Sequence, residues 1–164
     1  MKKLAAIILN GIQHMGRQLR IEQHVGDTRI YIDGNRIEIS QGPKIDIVVN
    51  GDLESLEVGS ATVEVKGSAR TVTTGSGDVT CGPVTGSVST SSGEVACGDV
   101  SGSVSTGSGD VECGIVNGNV TTSSGEVTCG NVGSSVSTAS GDVDCHNVGG
   151  NIKTISGDVN SRRG

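Results

Sequence analysis

Five cysteines stand at Cys81, Cys97, Cys113, Cys129 and Cys145, and every interval between them is 16 residues. Val79, Val95, Val111, Val127, Val143 and Val159 keep the same interval, two residues ahead of that column. Thr74, Thr90, Thr106, Thr122, Thr138 and Thr154 form a third column, each two residues after a Val or, at the last, Ile152. A period this regular dictates architecture, because one unit cannot bury its apolar side chains alone and must stack on copies of itself. The repeating unit reads Gly-Asp/Glu-Val-x-Cys-Gly-x-Val-x-Gly-Ser/Asn-Val-x-Thr-x-Ser.

Each unit holds two segments that alternate with period two, Val-x-Cys and Val-x-Thr. Such alternation makes short strands with one buried face. The glycines at the first, sixth and tenth positions mark bends, where positive φ or close backbone approach is needed. Successive units in register would pair parallel strands about 4.8 Å apart. The expected fold is all-β: a single-stranded β-solenoid, or β-helix, of 16-residue coils with two short parallel strands per coil and an N-terminal capping segment. Residues 45–164 make the solenoid, as seven coils (45–60 through 141–156) and a half coil from Gly157. Ile47 and Val49, Leu56 and Val58, and Val63 and Val65 continue the columns backwards with less regularity.

Residues 1–44 form the cap. Within it "RIYIDGNRIEI" (29–39) reads as two strands about an Asp-Gly-Asn turn, either a hairpin or an irregular first coil. A short helix over 2–19 is the reading for the segment before it, with Leu4, Ile8, Ile12, Met15 and Leu19 on one stripe and Gly11 and Gly16 weakening it.

The chain has no Phe or Trp and only Tyr31 as an aromatic residue, with 27 Gly. A core thin enough for Val, Cys and Thr leaves no room for rings. The net charge of −6 is uneven. Residues 1–30 carry five Lys/Arg against two Asp/Glu, whereas residues 71–161 carry nine Asp/Glu against Lys153 alone. An acidic body disfavours nucleic acid. No run is long enough to span a membrane as a helix. "MKKLAAIILNG" begins like a secretion signal, but its apolar run is short and no small-x-small cleavage site follows.

The cysteines point inward, two residues after an inward Val. Five is an odd number, no Cys-x-x-Cys or nearby His pair offers tetrahedral ligation, and parallel side chains in register do not aim at one another for a disulfide. They read as buried thiols acting as small hydrophobes, with no metal or cofactor, which places the protein in a reducing compartment, the cytoplasm. The outward column Asp78, Glu94, Asp110, Glu126, Asp142 and Asp158 reads as solvated charge. His14, His24 and His146 are scattered and the serines are periodic, so no catalytic group stands out and no enzyme is expected.

"TISGDV" (154–159), "TGSGDV" (74–79 and 106–111) and "NGNVTT" (117–122) resemble the Ser-Gly-Asp-Val repeats of an adhesin-like β-solenoid family of bacterial and phage proteins. "YIDGNRIEI", "IDIVVNGDLESLEV" and "SGDVNSRRG" resemble its N-terminal strand pair, first coils and basic tail. The resemblance covers about residues 28–164 and implies the fold more than a function. From the residues themselves, the last coil differs from the others: Lys153 interrupts the Ser/Thr column and Ile155 replaces a small residue. Ile155, Val159, Arg162 and Arg163 are therefore candidate interface residues. The expected function is a structural, self-associating homo-oligomer. The alternative is a rod that holds a host protein or glycan on its face or N-terminal segment.

Overall fold

Val-x-Cys and Val-x-Thr become strands because a β-branched residue suits a pleated, half-buried surface. The computed structural model describes residues 5–9, 12–24, 27–33, 35–37, 46–60 and 62–161, and these form strands and turns with no helix. From Val79 onward the three-residue strands Val79–Cys81, Val95–Cys97, Val111–Cys113, Val127–Cys129, Val143–Cys145 and Val159–Ser161 pair in parallel, in register, one coil apart. The strands Val88–Thr90, Val104–Thr106, Val120–Thr122, Val136–Thr138 and Ile152–Thr154 do the same in a second sheet. The chain is a β-solenoid of 16-residue coils.

A third inward ladder lies between the two sheets. Val84, Val100, Val116, Val132 and Val148 form successive single-residue parallel bridges that begin at Ala69. Val84, Val100, Val116 and Val132 are buried. Ala69 bridges Val84 at an offset of 15, whereas the later steps are 16. That slip accounts for strand length. Leu53–Val58 and Ala69–Thr74 run six residues without interruption. In later coils one more residue separates the bridging valine from the next strand, and the chain bends there.

The N-terminal residues extend both sheets. We label the strands β1 (Ala5–Leu9), β2 (Ile12–Gly16), β3 (Gln18–His24), β4 (Asp27–Ile32), β5 (Asn35–Ile37), β6 (Asp46–Asn50) and β7 (Leu53–Val58). β1 and β2 form an antiparallel pair that continues the first sheet beyond β6. β3 lies parallel to β7, with Leu19 opposite Leu56 and Ile21 opposite Val58, and so acts as an extra rung of the second sheet. β4 and β5 follow it as an antiparallel hairpin. Where a helix was expected over 2–19, the described residues form the strands β1, β2 and the start of β3; Leu4 and Gly11 lie outside the described residues. Met15 is 53% exposed while Leu19 is fully buried, so they do not share a stripe. Of the two readings of 29–39, a hairpin or an irregular first coil, the antiparallel pairing of β4 with β5 gives the hairpin, with Asp33 at φ 50° in its turn.

The core is one column of small side chains whose largest members sit at the N-terminal end: Leu19, Ile30, Ile47 and Leu56. The coil glycines serve close approach. At Gly109 a Cβ would strike the carbonyl oxygen of Gly93 one coil below, so only hydrogen fits.

Candidate functional site

Four surfaces follow from this stacking: the thiol column, the outward polar columns, and the two ends. In the first, Cys81, Cys113, Cys129 and Cys145 are buried and Cys97 is half-buried, and all five are free. Their inward companions Val79, Val95, Val111, Val127 and Val143 are buried as well. In-register pairing sets the cysteines directly one above another. A thiolate at one rung draws S–H donation from its neighbours and raises them in turn. Cys81 and Cys113 are pushed above the ordinary thiol range, first by the sulfurs of Cys97 and Cys129 respectively. Cys97 and Cys129 are pulled down, each first by the S–H of Cys113. Burial is the first cause at Cys145, whose thiol is raised to about 11. Adjacent rungs therefore resist ionising together. Among the described residues no three His, Cys, Asp or Glu side chains converge as a metal cluster would require.

Thr74, Thr90, Thr106, Thr122 and Thr138 are buried, and each Oγ1 donates to the carbonyl of the glycine three residues on, at 2.5–2.9 Å. The bond closes the turn into the next coil and satisfies a hydroxyl that would otherwise be costly to bury. The outward polar columns bind between coils. Asp78, Asp110 and Asp142 each accept the backbone N–H of the residue 16 ahead, at 2.9–3.2 Å. Asp99 does the same for Ile115. Ser87, Ser103, Asn119 and Ser135 repeat the pattern on the other wall at 3.1 Å. Asp52 accepts from the backbone N–H and hydroxyl of Ser68, and those bonds, the backbone one first, lower its pKa. The aspartates are thus inter-coil acceptors as well as charge. The sequence signal was the shorter Asp at 78, 110 and 142, alternating with Glu94 and Glu126 before Asp158 breaks the alternation.

At the N-terminal end a shallow cleft on the second sheet is lined by Gln18, Arg20, Tyr31, Ser55 and Glu57. Arg20 and Glu57 form an exposed ion pair at 2.9 Å. Beside it, in a neighbouring hollow lined by Arg17, Gln18, Asp33 and Glu54, Asp33 accepts the N–H groups of Arg17 and Gln18, both at 2.9 Å.

In the last described coil the core columns are less covered than in the coils before it. Ile152 is 38% exposed and Thr154 is exposed, whereas Val136 and Thr138, one coil back, are buried. Val159 is half-buried, and Ile155, at 79%, is the most exposed large apolar side chain among the described residues. Ser161 stands opposite Cys145 and ends the sulfur column with a hydroxyl. Arg162 and Arg163 lie outside the described residues. No helix of the described residues is long and apolar enough to cross a membrane. Comparison with protein-family models, with curated proteins and with solved structures finds no match for the chain.

Proposed function

We propose that this chain is a non-enzymatic structural rod that associates with a second copy through the C-terminal end of its solenoid. The observation that carries the reading is the asymmetry of the two ends. The N-terminal end is filled by Leu and Ile side chains and extended by antiparallel strands. In the last described coil Ile152 and Ile155 are exposed and Val159 half-buried, beside Ile152–Thr154 and Val159–Ser161, the edge strands of the two sheets there among the described residues. An exposed edge with apolar side chains is a template for pairing. Because the opposite end is already occupied by strands of different direction, the docking that fits is end on like end, about a twofold axis, which is also the commonest symmetry of homo-oligomers. Burying each Ile contributes about 1.5–3 kcal/mol. Light scattering over a concentration series tests this: the chain is expected at twice its monomer mass, and Ile155→Asp at the monomer mass. A chain that stays monomeric at high concentration, with Ile155→Asp unchanged, contradicts it.

One observation favours a rod-like binding module instead. Tyr31, the chain's only aromatic residue, lines the N-terminal cleft among polar and charged side chains, the composition of a glycan or peptide contact. The structure makes β1–β3 integral to both sheets, so the test is a point substitution. Tyr31→Ala is expected to abolish capture on a glycan array without changing the oligomeric mass, and equal capture by both chains counts against this reading.

A further inference from the structure

The sulfur column has a geometry that space filling does not require. In the first two coils the same column position is held by Val49 and Val65, both buried, so an aliphatic side chain fits there. From Cys81 to Cys145 it is sulfur on five successive rungs, in register, with four gaps between them. Rungs are about 4.8 Å apart. A metal–thiolate bond of about 2.3 Å, the length found for zinc, makes a linear S–metal–S unit about 4.6 Å long. A soft ion that accepts two ligands in line thus matches one gap. Zinc, which needs four converging ligands, does not.

Orientation points the same way. In-register parallel rungs set the five Cβ atoms in a row, each bond directed into the core. A disulfide needs its two Cβ atoms twisted by about 90° about the S–S bond, which this row does not supply. An ion between two sulfurs needs no such twist, because it lies on the stacking axis while each side chain approaches from the side.

We propose that the column is a linear binding site for soft monovalent d10 ions of the Cu(I) and Ag(I) class, each seated between the thiolates of successive coils. Soft thiolate ligands select such ions. Filling the four gaps releases the five thiol protons to solvent and forms eight metal–sulfur bonds, with the three inner sulfurs bridging. The string is left with a single net negative charge, so the buried sulfurs ionise only as the cations arrive. No oxidant or reductant is involved. Cys97, the half-buried member, offers the way in. This inference does not depend on self-association.

The test is a titration of the reduced, folded chain with Ag(I), followed by native mass spectrometry, ultraviolet charge-transfer absorption and far-ultraviolet circular dichroism. Saturation at four ions with an intact β signal is expected. Cys113→Val breaks the column into two pairs and should saturate at two ions, a twofold loss. Cys81→Val removes an end gap and should saturate at three. Independent thiols behave differently: each substitution then removes one ion from five. That result, no uptake by the folded chain, or uptake only with loss of the β signal overturns the proposal. X-ray absorption on the silver-loaded parent chain needs no variant to fold: two sulfur neighbours per ion support the site, and three or four contradict it.

Discussion

Thr106 sits in the core and its hydroxyl donates to the carbonyl of Gly109 at the start of the next coil. A valine there would fit the space and lose the donor, leaving that carbonyl without its partner. Thr106→Val is therefore expected to destabilise by about 1–3 kcal/mol, and Thr106→Ser by less, measured by urea unfolding. The sulfurs make a second prediction at this scale. Cys97 is half-buried and its thiolate is favoured by S–H donation from Cys113 and then Cys81. Sub-stoichiometric iodoacetamide on the folded chain at neutral pH should alkylate Cys97 first, with Cys145, raised by burial, among the last. Mass mapping reads the order, and uniform labelling would contradict it.

Each coil is an element that touches only its neighbours, and its joints are interchangeable. Deleting Gly109–Ser124 joins Ser108 to Gly125, the same kind of junction as Ser124 to Gly125. The shortened chain should keep its β spectrum and unfold cooperatively, with a denaturant m-value reduced in proportion to the surface lost. Removing only Gly109–Val116 puts every later Val and Cys out of column and should abolish the fold. At this scale most of the architecture was legible in the sequence, because Val-x-Cys and Val-x-Thr reveal an inward face by alternation. The ladder through Val84 and Val100 was not legible as structure. A bridge one residue wide has no alternation to detect. The N-terminal helix was misread for a physical reason. Leu4, Ile8 and Ile12 are four apart, a spacing that fits both the helical stripe and one face of a strand, and composition alone does not separate them. β1 and β2 resolve the ambiguity through long-range pairing, β1 against β6.

For the whole molecule, the two ends and the sulfur column define what the rod can do. The oddity of the last coil was visible in Lys153 and Ile155. Its meaning was not, because burial of a column's last member depends on what lies above it. The same holds for the sulfurs, whose register follows from the period but whose exposure, with Cys97 set apart, comes only from the packed coils. Stacking predicts a length that grows by a fixed step per coil. The outward positions Thr80, Ala96, Glu112, Thr128, Asp144 and Asn160 are paired rung on rung. The most direct measurement is a series of pulsed electron spin distances, with labels attached by chemistry orthogonal to the thiols, from Thr80 to Thr128, Asp144 and Asn160 in turn. The solenoid predicts a linear rise of about 4.8 Å per coil, reaching about 24 Å at Asn160. Distances that scatter broadly, or that fail to lengthen by an equal step with each coil, would contradict it.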